Sequence, residues 1–283
     1  MHPIIDTHQH LWDRTRFHLP WLDNAPLPLG RNYLPVDYDA AAADTGIVHT
    51  IYMEVDVTPA QRTDEAAYVA ALCDDPSARM AAAVVGGDPS QPDFALYLDR
   101  IAHPAIRGVR SVLHGGRTPG DCLSGSFVDG CRLLGSRTLS FDLCLRPEDL
   151  GDGARLARLC PETQFILDHC GNPDPFGPTE ALDAWRRGLA TIAAQPNVVV
   201  KVSGLINRAA PGAWRADDFA DVVDTTLDAF GPRRVVFGGD WPVCRLGGEL
   251  ADWVAALHQI VARRPEHEQR ALCFDNAHAL YRL

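Results

Sequence analysis

The sequence contains no run of about 18 apolar residues, the length a membrane-spanning helix needs, and no cluster of basic side chains. With 26 basic against 37 acidic residues the formal net charge is −11, which disfavours nucleic acid and anionic membrane as partners. It does not exclude an anionic substrate, because arginines can still line a pocket locally. No CxxC pair occurs among the eight cysteines, which are scattered from Cys73 to Cys273. Their even number permits disulfides, yet several sit in apolar runs such as Phe141-Asp142-Leu143-Cys144-Leu145, so they read as reduced, mostly buried thiols of a cytoplasmic protein. Met1-His2-Pro3 leads straight into a strand-like run, leaving no room for a signal peptide. Neither a GxGxxG fingerprint nor a P-loop is present. Tandem repeats, low-complexity stretches and linker-like segments are also missing.

What is present is an ordinary globular composition, 46% hydrophobic and 22% charged over 283 residues, enough to bury a core without covalent staples. Eight short apolar runs alternate with helical patterns. The runs fall near 4–11, 48–55, 80–85, 106–113, 139–145, 163–167, 198–202 and 235–238. Continuous stretches such as Val198-Val199-Val200 suit strands buried on both faces. This alternation, at a length near the typical ~250 residues, predicts an α/β fold: one (β/α)8 TIM barrel spanning 1–283. Residues 12–37 are too long for an ordinary connection, and their Trp12, Phe17, Trp21 and Tyr33 argue against disorder. They are expected to form an ordered lid over the mouth that holds the first histidines.

The opening Ile4-Ile5-Asp6-Thr7-His8-Gln9-His10-Leu11 organises the rest. In an extended strand alternate side chains share a face, so His8 and His10 project together and Asp6 is expected one step deeper on that face. Catalytic groups of a barrel lie at the C-terminal strand ends, where the sequence places Glu54 and Asp56, Arg110 and His114, Arg146, Asp168-His169, Lys201 and Ser203, and Asp240-Trp241-Pro242. His8, His10, His169 and Asp240 can make a mononuclear nitrogen and oxygen site of the kind zinc accepts, polarising a carbonyl and acidifying a bound water. Alternatively Asp240 acts on water as a general base without metal, the histidines and an arginine steadying the oxyanion. Glu54, Arg110, His114 and Trp241 are candidate substrate contacts. A rim salt bridge for Glu54, a structural ion pair for Arg110 and a solvent-exposed His114 are the plainer alternatives, and Lys201 is read as structural.

The fragments Ile5-Asp6-Thr7-His8-Gln9-His10-Leu11-Trp12, Leu167-Asp168-His169-Cys170-Gly171-Asn172-Pro173, Val200-Lys201-Val202-Ser203-Gly204-Leu205 and Phe237-Gly238-Gly239-Asp240-Trp241-Pro242 resemble the amidohydrolase superfamily. They are most similar to its "amidohydrolase 2" branch of lactonases, which includes L-fuconolactonase, L-rhamnonolactonase and pyrone-dicarboxylate lactonase types. The likeness covers nearly the whole chain. It implies His8 and His10 as the strand-one pair, His169 as the strand-six histidine and Asp240 as the strand-eight acid. The binuclear pattern is not met: strand four offers Arg110, Ser111 and His114 rather than a bridging lysine or glutamate, and strand five has no metal histidine. At most one divalent ion, zinc first, is therefore expected, with a metal-free reaction as the alternative.

The resemblance implies a lactone hydrolase, a sugar-acid lactone being the expected substrate, with Asp240 and His169 as the catalytic pair. The alternative is a metal-dependent decarboxylase of an aromatic or unsaturated acid. Either acts on a small molecule, without nucleic acid or membrane, and either is compatible with a homo-oligomer.

Overall fold

Short runs rich in β-branched residues become strands, and the amphipathic stretches between them become helices. The computed structural model describes residues 2–23, 25, 28–115 and 117–283. Eight strands follow one another in chain order around one sheet: β1 (Ile4–Gln9), β2 (Ile47–Met53), β3 (Met80–Gly86), β4 (Ile106–Val112), β5 (Ser140–Cys144), β6 (Phe165–Leu167), β7 (Val198–Val202) and β8 (Val235–Phe237). All seven neighbouring pairs are parallel. The ring closes just past β8, where Gln9 bridges Trp241, the His10 N–H donates to Trp241 O at 2.8 Å and the Asp240 N–H to His8 O at 2.7 Å. Between strands run α1 (Pro35–Ala41), α2 (Arg62–Cys73), α3 (Phe94–Arg100), α4 (Gly125–Ser136), α5 (Leu150–Leu159), α6 (Thr179–Ala193) and α7 (Asp217–Phe230). After β8 come α8 (Leu250–Val261), α9 (Glu266–Arg270) and α10 (Asn276–Tyr281). This is the expected (β/α)8 barrel.

Two apolar layers hold it together. Phe127 of α4 meets Phe141 of β5 edge-on at 5.5 Å in the outer layer, between strands and helices. Inside the ring Ile5, Ile51, Met53, Val84, Ile166 and Val236 form a separate cluster, and α10 adds Ala277 and Tyr281 to it. The C-terminal helix thus floors the barrel. All eight cysteines are free thiols, only Cys73 short of full burial. Among the described residues no helix is long and apolar enough to cross a membrane.

Two details depart from the sequence expectation. The 12–37 segment ends in α1, begun by Pro35 at its first turn and by Asp37 Oδ2 accepting the Leu34 N–H at 2.9 Å; seven residues are too few to display a helical period. β1 also fails to keep strict alternation. Its pairing with β2 shifts register between Ile4 and Ile5 and again between Asp6 and Gln9. Ile5 faces the interior, whereas Asp6 turns to the outer layer. There its Oδ2 accepts from the Tyr38 hydroxyl of α1 and its Oδ1 from the Gly239 N–H, both at 2.7 Å. Asp6 is therefore not on the face of His8 and His10, because a bulge resets which side each residue takes.

Asn24, Pro26 and Leu27 of the expected lid lie outside the described residues. The rest packs at the same end as His8 and His10. Trp12 and Tyr33 pair as an antiparallel bridge with both N–H···O bonds at 2.9 Å. The Trp21 indole donates to Val55 O at 2.8 Å, and the Tyr33 ring lies edge-on to Trp241 at 5.0 Å.

Candidate active site

The strand ends deliver three imidazoles and one carboxylate to a common point. His8 and His10 rings sit 4.9 Å apart, and His8 and His169 rings 4.4 Å apart. Asp240 Oδ1 lies 3.5 Å from His10 Nε2 and 3.7 Å from His8 Nε2. His169 and Asp240 both hold φ of +54°, a left-handed conformation uncommon for residues with a Cβ and typical of functional positions. Two close approaches make room. A Cβ on Gly238 would stand 2.8 Å from His8 Cβ, and one on Gly204 2.5 Å from His169 Nδ1. All four side chains are nearly shut off from solvent.

Each group's second contact fixes how it faces the centre. His10 Nδ1 is 2.9 Å from Met53 O and 3.0 Å from Glu54 O. Carbonyls only accept, so Nδ1 carries the hydrogen and Nε2 is turned to Asp240. His169 Nδ1 is bonded to Ser203 Oγ at 2.8 Å, leaving its other nitrogen for the site. Asn207 Nδ2 donates to Asp240 Oδ2 at 3.0 Å, so one carboxylate oxygen is tethered while Oδ1 meets the histidines. Burial raises the Asp240 pKa, but His169, His10 and His8 outweigh it and bring the carboxyl down to about 2. Burial lowers His8 well below the ordinary imidazole range and lowers His169 too, so both favour the neutral, lone-pair form.

Beneath this lies a layer of buried charge. Arg110 Nε bonds Glu54 Oε1 at 2.6 Å, and its Nη1 is 3.4 Å from both Asp168 Oδ2 and His8 Nε2. Lys201, the only lysine in the sequence, reaches Asp142 Oδ2 at 2.5 Å, Asp168 Oδ1 at 3.2 Å and His8 Nδ1 at 3.4 Å. Burial opposes the Lys201 charge, and Asp142 with Asp168 overcomes it, so the ammonium is retained. Asp168 is held well below the usual carboxylate range: burial raises it, and Lys201, His8 and Arg110 overrule that.

The structure thus gathers His8, His10, His169, Asp240, Arg110 and Glu54. Glu54 is occupied, with Oε2 accepting the Asp56 N–H at 2.6 Å as Oε1 holds Arg110. His114, exposed in its loop, lines a cavity of about 740 Å³ with Leu145, Arg146, Asn172, Trp185 and Arg208, and lies near enough to feel the charges of His169 and Arg110. Trp241 is 1% exposed, wedged between the Tyr33 and Tyr38 rings. Sequence reasoning missed Asn207, which carries no local signal, and the joint role of Asp142 and Asp168. One signal was available: a lone lysine inside Val198-Val199-Val200-Lys201-Val202 is costly to bury without partners.

Donor atoms of His8, His169 and Asp240 lie within 4.8 Å of one another. His10 Nε2, its lone pair facing the ionised Asp240 Oδ1, adds a pair of acceptors that only a proton or a metal cation between them can reconcile. The donor set therefore fits a single zinc-type ion, with neutral imidazoles and a carboxylate as ligands. His10 stands beside the three-residue cluster rather than within it. Cys144 with Asp168 and His169 makes a second such grouping, but burial raises the Cys144 thiol and Lys201 already engages Asp168.

A constellation of this kind can activate water at a carbonyl carbon, and the relatives of the chain agree with that. An L-fucono-1,5-lactonase of Burkholderia multivorans is 32% identical over 270 residues, covering 89% of this chain and 86% of that protein. An uncharacterized protein of Sinorhizobium fredii is 28% identical over 298 residues, covering 99% and 98%. A crystal structure of an amidohydrolase from Burkholderia multivorans with bound zinc is similar at a TM-score of 0.89 and 28% identity, covering 99% of both chains. The fold is shared with a probable 2-pyrone-4,6-dicarboxylic acid hydrolase of Acinetobacter baumannii, at a TM-score of 0.78, 19% identity and 99% of both chains. The amidohydrolase family model matches residues 5–283; the chain belongs to the amidohydrolase family and is a hydrolase.

Proposed function

We propose that the chain opens lactones by water attack, with a sugar-acid 1,5-lactone as substrate, in a cytoplasmic setting and without nucleic acid or membrane as partner. The observation that carries this reading is Asp240: ionised, tethered at Oδ2 by Asn207, and presenting Oδ1 to His8 and His10. The likeness to an L-fucono-1,5-lactonase supports the substrate class.

Asp240 Oδ1 takes a proton from the water whose oxygen bonds to the lactone carbonyl carbon. Arg110, braced by Glu54 and Asp168, supplies the positive charge that steadies the negative charge growing on the carbonyl oxygen, while His169 helps to hold the reacting groups in place. When the ring C–O bond breaks, the leaving alkoxide takes up a proton, returning Asp240 to its ionised form and leaving a hydroxy acid. A zinc ion held by His8, His169 and Asp240, with His10 alongside, would supply Lewis-acid polarisation and a more acidic water when bound.

Proton release from a panel of aldonolactones, run beside ultraviolet loss of aromatic carboxylates, tests the reading. Turnover confined to the lactones is expected. Loss of an aromatic carboxylate with no lactone opened would replace it by decarboxylation. Elemental analysis should find at most one zinc equivalent per chain, and two would contradict the single-ion assignment.

A further inference from the structure

We infer that the end of the barrel opposite the histidines carries an oxyanion site, built by Arg107, Arg137 and Arg282 for a small anion with two or more negative charges, such as phosphate or a polycarboxylate. A cavity of about 470 Å³ opens there, between the start of β4, the turn after α4 and the residue following α10. Its ionisable lining consists of these three arginines and His103, with no carboxylate. In a chain with 37 acidic and 26 basic residues, a cavity free of acids and carrying three guanidinium groups departs from the surrounding charge balance.

The arginines are already oriented. Arg282 Nη2 donates to Thr138 O at 3.0 Å, and Arg107 Nη2 contacts Arg282 O at 3.5 Å. Acids touch the group only from outside the cavity. Asp99 binds Arg137 at 2.6 Å, and Asp74 lies 3.3 Å from His103 Nε2. Among the described residues neither Arg107 nor Arg282 has an ion-pair partner. Arg107 Nε is moreover shielded from solvent and has no hydrogen-bond acceptor among the described residues. Burial, and then the nearby Arg282, lower the Arg107 pKa. An oxyanion supplies what is missing, since the guanidinium fork matches phosphate and carboxylate oxygens in pairs. Such an anion would also tie the residue after α10 to β4 and the α4 turn, securing the helix that floors the barrel.

Thermal unfolding with inorganic phosphate, and separately citrate, against chloride of equal ionic strength tests this. A saturating rise in Tm of about 2–4 °C is expected for the wild-type chain, and most of it should vanish in Arg107→Met/Arg282→Met. Arg282→Ala, a change at an exposed position, serves if the double variant folds poorly, and should lose at least half of the rise. Phosphate and citrate both acting marks a general oxyanion site; one acting alone identifies the preferred class. Equal rises in wild type and variants, or no saturable rise in wild type, would overturn the assignment.

Discussion

Lys201 Nζ and Asp142 Oδ2 meet at 2.5 Å in the barrel interior, both side chains wholly buried and 59 residues apart in sequence. Removing one member of such a pair strands the other charge away from water, at a cost of about 3–5 kcal/mol. Lys201→Met should destabilise the chain by that amount in urea denaturation. Adding Asp142→Leu should recover part of the loss, because one of the two stranded carboxylates is then gone. A single Lys201→Met variant as stable as the wild type would show that the pair contributes nothing.

Asp240→Asn keeps the side chain's shape and removes the base. Turnover should fall by roughly 10²–10⁴, the range associated with general-base catalysis. Zinc content measured on the same sample should fall as well if Asp240 is a ligand. Near-wild-type kcat on the best lactone would remove Asp240 from the chemistry.

Asn207 reaches Asp240 through Nδ2, while its Oδ1 is shielded from solvent with no hydrogen-bond partner among the described residues. An unpaired acceptor there weakens the fold, so the amide is placed for Asp240 rather than for stability. Asn207→Leu should lower zinc affinity and kcat by about 10–100-fold, the loss typical when a ligand's supporting hydrogen bond is removed. Its Tm should be unchanged or higher. A variant losing stability and activity together, with zinc affinity intact, would mark Asn207 as merely structural.

Glu65 is buried beside Glu54, its Oε1 accepting from the Tyr52 hydroxyl and the Val55 N–H, both at 2.9 Å. Burial, then repulsion from Glu54, push its carboxyl from 4.5 up to about 8. A folded pKa above the unfolded one means the protonated form stabilises the fold. That contribution is complete below about 4.5 and is lost as pH rises through about 8. Glu65→Gln keeps the acceptor and cannot ionise. The stability difference between variant and wild type, followed by denaturation from pH 5 to 9, should therefore move steadily in the variant's favour. A pH-independent difference would contradict the assignment.

The barrel was legible because buried parallel strands leave apolar runs, and Met80–Gly86, or Val198–Val202 with Lys201 as its one interruption, can hardly be anything else between helices. Expected and observed boundaries agree closely there. That His8, His10, His169 and Asp240 would converge was legible because their fragments fall at the strand ends of one barrel and in combination resemble those of the amidohydrolase family. The side that Asp6 takes was hidden, since it depends on register shifts that only β2 imposes on β1. The partners of Lys201 were hidden for a related reason: Asp142 lies on β5 and Asp168 just past β6, and only the register of β5, β6 and β7 brings them within 3.2 Å of it. Asn207 gave no warning, because an asparagine after a strand normally satisfies a turn.

The single lysine has a practical corollary. Its amine is enclosed within the ring of strands, so the native chain offers no side-chain amine to acylating reagents. Labelling at Lys201 therefore requires the barrel to open, and the rate of its modification becomes a chemical clock for that opening. A mass spectrometer can read this clock at one residue, without competing signals from other lysine side chains.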